Sequence, residues 1–187
     1  MSGHNKWAQI KHKKQSTDAA KSRVFARYAH LIALESKKAD GSLAAPGLAS
    51  AIARAKAMNM PKDNIDRAVA KGASKDSAAL EQVIYEAYGP GGIALIIDAL
   101  TDNRNRTTQE VKHVLSRNGV ELSAPGAASW AFTRQPDGSY VPNEPFMDVA
   151  EEDGEKLDSI LEALDEHEDV QRTFTNAHGY ETTDESR

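Results

Sequence analysis

The sequence has no cysteine, and none of its apolar runs approaches the roughly 20 residues that a membrane-spanning helix needs. The lack of thiols excludes disulfide bonds, cysteine-bound zinc and thiolate catalysis, and it fits a reducing cytoplasm. The basic N-terminus is not followed by an apolar stretch, so it lacks the form of a secretory signal. Apolar residues make up 40% and charged residues 27% of the 187 residues, as in globular proteins. We therefore expect a cytoplasmic protein with a buried core, in one domain or two small ones.

The net charge of −5 is distributed very unevenly along the chain. Residues 1–80 contain 15 Lys and Arg against 6 Asp and Glu, whereas residues 81–187 contain 8 against 22. Much of the acidic excess lies in residues 137–187, which hold 3 basic and 16 acidic residues. This asymmetry predicts that the front of the chain meets a polyanion. The alternative is that the two ends neutralise each other within the fold.

The basic half of the chain has the pattern of a small helical domain. Residues 1–15 hold too few apolar side chains to fold alone, so we interpret them as a basic arm. Apolar residues at steps of three and four predict a helix over residues 17–39, a second over 47–58 and a third from Pro61 to Gly72. The helical domain then spans residues 16–80, with residues 73–80 as its linker.

From residue 81 the pattern changes to that of an α+β domain, which we place at residues 81–176 before a frayed tail at 177–187. Alternation, a nearly unbroken apolar run and a capping-box motif at Thr107–Glu110 mark strands and a helix start. The predicted elements are strands at 83–87 and 93–100, a helix at 108–117, strands near 130–132 and over 140–149, a helix near 157–164 and a strand at 170–175. From residue 93 their order matches the split βαβ pattern of a ferredoxin-like sandwich, with one strand added in front.

Several segments together closely resemble the YebC/PmpR family, which includes the mitochondrial translational activator of cytochrome oxidase subunit I. They are Gly3–Trp7, Ile10–Lys14, Asn59–Asp63, Tyr85–Gly92, Thr101–Thr107 and Asp169–Gln171. The resemblance implies a regulator that binds DNA and controls transcription, or alternatively a ribosome-associated translation factor that contacts RNA. It also implies three domains, the third inserted into the second. Here a short Pro-Asp-Gly turn follows Arg134, so we infer that the inserted domain and any activity housed in it are absent.

The candidate functional residues are cations that can neutralise phosphates and one aromatic side chain that can stack on a base. Most lie in the arm and the first helix, and two arginines lie before a predicted helix start, where anions are favoured. The predicted nucleic-acid contacts are Lys6, Trp7, Lys11, His12, Lys13, Lys14, Lys21, Arg23, Arg27, Arg104 and Arg106. The alternatives are a solvated charged face for the arm, with Trp7 docked on the core, and arginines that pair with nearby acids.

No residue pattern predicts catalysis. Gly89–Gly92 precedes a strand and lacks the Lys-Ser/Thr of a phosphate loop, so it is better explained as a hairpin turn. His4 and His12 match no metal-ligand spacing, and the other four histidines are scattered. A metal-dependent hydrolase would need carboxylates and histidines clustered in a cleft. We therefore expect a non-enzyme without cofactor, metal or small-molecule substrate; a monomer is favoured, although the sequence leaves the oligomeric state open.

The sequence contains no clear recognition helix with Arg, Asn or Gln aimed at base edges. This weakens the prediction of sequence-specific DNA reading and is also what RNA binding by shape would require. The choice between DNA and ribosomal RNA stays open at this stage.

Overall fold

The computed structural model describes residues 18–74 and 79–180, except for the side chain of Ala19. The first part is a helical module of three helices, α1 (Asp18–Lys38), α2 (Pro46–Ala57) and α3 (Lys62–Ala73). Its core is formed by apolar side chains from all three helices and the segment between α2 and α3. The buried members are Ile32, Leu48, Ala51, Ala55, Met60, Ile65 and Ala68. The three predicted helices are confirmed, with each end shifted by one residue.

A glycine sets how closely α1 and α3 approach. A Cβ atom built on Gly72 would lie 2.2 Å from the carbonyl oxygen of Ala33 and 2.7 Å from the Cβ of Ser36. Any side chain at this position would therefore push α3 away from α1. Beside this contact the Ser36 hydroxyl donates to the carbonyl of Val69 at 2.8 Å, which ties the same two helices together.

The α+β domain contains an antiparallel sheet in the order β1 (Glu81–Tyr88), β2 (Ala94–Thr101), β5 (Val170–Thr175). All eight residues of the central strand β2 are buried, as its nearly unbroken apolar run predicts. Helices α4 (Arg104–Ser116) and α5 (Glu151–Glu166) cover one face of this sheet. A short hairpin of β3 (Phe132–Arg134) and β4 (Tyr140–Pro142) covers the other.

Glu86 and Tyr88 of β1 organise the loop that precedes β3. The buried Glu86 carboxylate accepts hydrogen bonds from the backbone N–H groups of Gly126 (2.8 Å), Ala128 (2.6 Å) and Ser129 (2.9 Å). The Tyr88 hydroxyl donates to the carbonyl of Ala127 and accepts from Trp130 Nε1 at 2.7 Å. The Trp130 ring is thereby held in place although it is 69% exposed.

The α+β class is confirmed, but the strands are arranged differently from a ferredoxin-like sheet, in which β4 would pair with β2. Here β1 takes that place, because the tight turn at Gly89–Gly92 joins it to β2 in an eight-residue antiparallel ladder. The three-residue strands β3 and β4 pair only with each other. The strand predicted over 140–149 already ends at Pro142, since proline cannot donate to a ladder.

Two further boundaries differ from the predicted ones. Helix α4 begins at Arg104 rather than at Thr108, because the Asn103 side chain caps it by accepting from the N–H of Arg106 at 3.1 Å. The chain also stays packed beyond residue 176: Ala177 and Tyr180 are buried in the core, so fraying does not begin at residue 177.

A membrane-spanning helix is not found within residues 18–74 and 79–180.

Candidate nucleic-acid interface

Helix α1 presents one face to the helical module and another to the α+β domain. Arg23, Arg27 and His30 follow each other at steps of four and three residues, so they form one stripe along the helix. Arg27 Nη1 lies 3.0 Å from Asp165 Oδ1, and its Nη2 donates to the carbonyl of Asp165 at the end of α5. The Arg27 side chain is only 17% exposed. In this arrangement Arg27 is engaged by the protein itself.

The other two predicted contacts on α1 are not engaged in this way. Lys21 is exposed and Arg23 is half-buried. Neither forms an ion pair with any residue of the described part of the chain. Both can therefore approach a phosphate without first breaking an ion pair seen here. The predicted arm contacts lie outside the described residues: Lys6, Trp7, Lys11, His12, Lys13 and Lys14.

The two arginines of the Thr101–Thr107 motif are in different environments. Both lie in the first turn of α4. Arg104 is exposed and has no ion pair to a described carboxylate. Arg106 Nη2, by contrast, lies 2.8 Å from Asp169 Oδ2 and 3.1 Å from Asp102 Oδ1. The alternative of structural pairing therefore describes Arg106, whereas Arg104 is open to a ligand.

Asp169 is the buried centre of this network, with a side chain that is only 6% exposed. Burial raises its pKa, but hydrogen bonds from Thr107 (2.6 Å) and Arg106 (2.8 Å) outweigh burial, and the net pKa is lowered. The same hydrogen bond favours the charged form of Arg106 and so raises its pKa. The pair is thus ionised on both sides and fixes the start of α4 against the loop before β5.

A cleft of about 780 Å³ lies beside this network, where the helical module meets the α+β domain. It brings together three histidines and four acids that are far apart in sequence. The titratable residues that line it are His30, Asp102, Arg106, Glu110, His113, His167, Glu168 and Asp169. These histidines are scattered along the sequence, but the fold brings three of them into one cleft. No sequence signal predicts this cluster, because it depends on which elements pack together.

Three of these residues, Glu110, His167 and Asp169, have ligand atoms close enough to hold a metal ion. Their hydrogen bonds oppose that use. His167 Nδ1 accepts from the N–H of Asp169 at 3.1 Å, so in the neutral ring Nε2 carries the proton and donates to Glu110 at 3.0 Å. The guanidinium of Arg106, 2.8 Å from Asp169, already supplies the positive charge that a metal would bring. The cluster is a satisfied hydrogen-bond network.

His30 is the member of the cleft that comes from α1. Its Nδ1 is buried without a hydrogen-bond partner among the described residues. Burial lowers the pKa of His30 and Lys71 lowers it further, whereas Asp169, Asp102 and Glu168 raise it; the net pKa is below the usual value of 6.5. His30 is therefore neutral at neutral pH and adds no positive charge to the stripe on α1.

Comparison with known proteins finds family models that match the helical module and part of the α+β domain. A family model described as the TACO1/YebC protein N-terminal domain matches residues 5–75. A second, described as the TACO1/YebC second and third domain, matches residues 80–137. This match ends within the five-residue turn that joins β3 to β4.

Two relatives are each called "Probable transcriptional regulatory protein". One, from Pseudothermotoga lettingae, is 42% identical over 178 residues, covering 94% of this chain and 70% of the relative. The other, from Francisella philomiragia, is 41% identical over 191 residues, covering 100% of this chain and 75% of the relative. The crystal structure of a conserved hypothetical protein from Aquifex aeolicus superposes with a TM-score of 0.77 at 28% identity, covering 86% of this chain and 91% of that one.

Proposed function

The chain belongs to the TACO1/YebC family, and from this membership we propose that it is a non-enzymatic, cytoplasmic regulatory protein that binds nucleic acid, with duplex DNA as its target in transcriptional regulation. The observation that carries the proposal is the set of unpaired cations in a chain of net charge −5. Lys21, Arg23 and Arg104 keep their charges free of ion pairs within the described residues. The names of the relatives from Pseudothermotoga and Francisella support a regulatory role.

The chemistry of these side chains suits phosphate. Lysine and arginine that neutralise backbone phosphates release condensed counterions, which drives binding without reading sequence. Arg104 lies in the first turn of α4, where the helix dipole favours an anion and a guanidinium can grip two phosphate oxygens. Lys21 and Arg23 continue the cationic series predicted for the arm. We propose that each of these three residues contacts a backbone phosphate.

The cleft supports a non-enzymatic role rather than a hydrolase. It contains the histidines and carboxylates that a metal-dependent hydrolase would use. However, Glu110, His167 and Asp169 already satisfy one another, and Arg106 supplies the positive charge. No nucleophile and free base stand within hydrogen-bond distance of each other in the described part of this cleft. The cleft is better explained as the joint between the two parts of the molecule.

The test compares the wild type with the triple variant Lys21→Ala, Arg23→Ala, Arg104→Ala in binding a DNA duplex across a salt series. Each lost phosphate contact should reduce the slope of log K against log salt by about 0.9, so the slope should flatten by about 2 to 3. Affinity at low salt should fall at least about tenfold. The free energy of unfolding should change by less than about 0.5 kcal/mol at Lys21 and Arg104, because both are exposed, and by about 1 kcal/mol at most at the half-buried Arg23.

The matched control is Lys156→Ala, which removes an exposed lysine from the acidic helix α5, where it pairs with Glu152 at 3.7 Å. It should leave the salt slope unchanged. An unaltered slope in the triple variant would remove these residues from the interface. Tighter binding to ribosomal RNA than to duplex DNA at equal salt would replace the DNA target with a ribosomal one. Metal-dependent turnover of a phosphodiester would overturn the non-enzymatic assignment.

A further inference from the structure

The contact between α1 and α5 places a phosphate-like pair of acceptors on Arg27. One guanidinium group binds both the carboxylate and the backbone carbonyl of Asp165. These oxygens stand at the C-terminal end of α5, where the helix dipole is negative. Further acids follow within four residues, at Glu166, Glu168 and Asp169. The end of α5 therefore presents the Arg27 guanidinium with two acceptor oxygens, one from a carboxylate and one from a backbone carbonyl, where a phosphate would offer two of its own.

The contact extends along the stripe on α1. His30, one turn after Arg27, lines the cleft and lies in the field of Asp169, Asp102 and Glu168. Arg23, one turn before Arg27, lies on the same face of the helix. The stripe on α1 thus contributes two arginines, and Arg27 contacts the acidic end of the α+β domain. Within this stripe Arg27 is the residue that forms an ion pair with the acidic end, so a phosphate would have to compete with Asp165 for it.

The exposed fractions of the two side chains indicate how strong their ion pair can be and which side chain can leave the contact. The side chain of Asp165 is 55% exposed, whereas that of Arg27 is 17% exposed. A pair with one partner so open to solvent shifts an equilibrium by no more than a factor of about five. We call this contact between Arg27 and Asp165 the latch. It is strong enough to favour the arrangement of α1 against α5 without ligand, and weak enough for a polyanion with several phosphates to displace it.

We propose that the acidic segment Asp165–Asp169 is an internal competitor for nucleic acid: it binds Arg27 in the closed form, and phosphate replaces Asp165 when nucleic acid binds. The inference rests on the proposed function. It adds an autoinhibitory contact and a further phosphate-binding residue, Arg27, that becomes available only when the stripe on α1 leaves the end of α5.

The experiment compares the affinity of a DNA duplex for the full-length wild type, Asp165→Asn and Glu166→Gln at one salt concentration. Glu166 is the matched control, because its replacement removes the same charge one residue away from an acid that has no ion pair to Arg27. Asp165→Asn should tighten binding about two- to fivefold beyond the gain seen with Glu166→Gln. In an Arg27→Ala background the Asp165→Asn substitution should have no such effect. Equal gains from Asp165→Asn and Glu166→Gln would reduce the effect to general charge and overturn the latch.

A second measurement follows the contact directly. Since the chain has no cysteine, Ala53→Cys on α2 and Glu155→Cys on α5 give two specific sites for spin labels at exposed positions. The distance between the labels should lengthen or broaden when the DNA duplex is added, and should do so partly in Asp165→Asn without ligand. An unchanged distance in both cases would overturn the latch. Failure of the wild type to bind any nucleic acid would overturn the proposed function and the competition that rests on it. Binding by the wild type with no added gain from Asp165→Asn would overturn the competition alone.

Discussion

His30 shows how a domain contact decides the protonation state of one side chain. Its position in α1 follows from helical spacing, but its environment is provided by residues more than seventy positions away, at Asp102 and Glu168–Asp169. Burial, the strongest influence on its pKa, opposes the charged form. The nearby acids favour the charged form but do not outweigh burial and Lys71. The neutral ring is therefore part of the folded state.

This environment predicts a pH dependence of stability. The pKa of His30 is lower in the folded protein than in the unfolded chain, so the unfolded chain takes up a proton first as the pH falls. The stability that His30 contributes is complete above about pH 6.5 and is lost below it, down to the folded-state pKa. His30→Gln should flatten the dependence of the free energy of unfolding on pH just below about pH 6.5, as measured by urea denaturation. His113→Gln, at an exposed position of the same cleft, should retain the wild-type profile; an equal flattening there would contradict the assignment.

Arg104 and Arg106 mark the limit of what the sequence can tell about single residues. Both arginines lie in the Thr101–Thr107 motif, and both are predicted to contact phosphate. Only the fold separates them, because the carboxylate that engages Arg106 belongs to Asp169, 63 residues further along the chain. The same holds for Arg27, whose partner lies 138 residues away. The sequence provides the candidate cations, but it cannot determine which of them are neutralised by carboxylates.

At the scale of elements, local signals were reliable where no distant partner intervened. The helix predicted over 47–58 lies at Pro46–Ala57, and the last strand lies at Val170–Thr175 as predicted. The start of α4 was misplaced because two capping patterns overlap, and Asn103 caps the helix while Thr107 is used to bind Asp169. Sheet order was misjudged for a related reason: pairing depends on competition between β1 and β4 for the edge of β2, which no local pattern records.

Besides pairing with β2, strand β1 stabilises the loop that precedes β3 through the side chain of Glu86. The Glu86 carboxylate accepts from three backbone N–H groups, and these donors would be left poorly satisfied by an amide that also carries donors of its own. We expect Glu86→Gln to lower the free energy of unfolding by about 1.5 to 3 kcal/mol. Hydrogen exchange at residues 126–129 should accelerate in parallel.

Glu81→Gln, at the exposed start of the same strand, is the control and should change stability by less than about 0.5 kcal/mol. Urea denaturation gives both values. A Glu86→Gln protein as stable as the control, with unchanged exchange at Ala128, would show that the loop does not depend on this carboxylate.

At the scale of the whole molecule, each of the two explanations of the charge asymmetry, internal neutralisation and binding of a polyanion, agrees with part of the structure. Positive and negative regions do meet within the fold at Arg27 and Asp165, as the neutralisation alternative requires. Lys21, Arg23 and Arg104 nevertheless remain free of ion pairs within the described residues, as the polyanion interpretation requires. The proposed nucleic-acid contact surface is thus smaller than the sequence alone predicts, because Arg27 and Arg106 are paired with carboxylates.

The turn between β3 and β4 is the place where the domain organisation can be tested. Asp137 closes it by accepting from the N–H (2.9 Å) and hydroxyl (2.6 Å) of Ser139. Inserting a segment of about twelve Gly and Ser residues between Asp137 and Gly138 should lower the free energy of unfolding by only about 1 to 2 kcal/mol, because loop closure varies slowly with length. DNA affinity should stay unchanged.

The same segment inserted between Gly91 and Gly92 should cost considerably more. That turn sets the register of the β1–β2 ladder and lies against α5, where a Cβ on Gly91 would be 3.0 Å from Asp153 Oδ2. Thermal or urea denaturation of the two insertion variants makes the comparison. A similar loss of stability at both sites would argue that the β3–β4 turn does not tolerate an extra domain.

The missing side chain at Gly72 has an effect well beyond the helical module. By letting the backbone of α3 rest on the carbonyl of Ala33, it fixes the rotation of α1 about its own axis. That rotation in turn decides where Arg27 and His30 point, so the electrostatic meeting of the two domains depends on a steric contact elsewhere on the same helix. Even a methyl group at this position would alter not just the packing of three helices but the direction in which the molecule displays its positive charge.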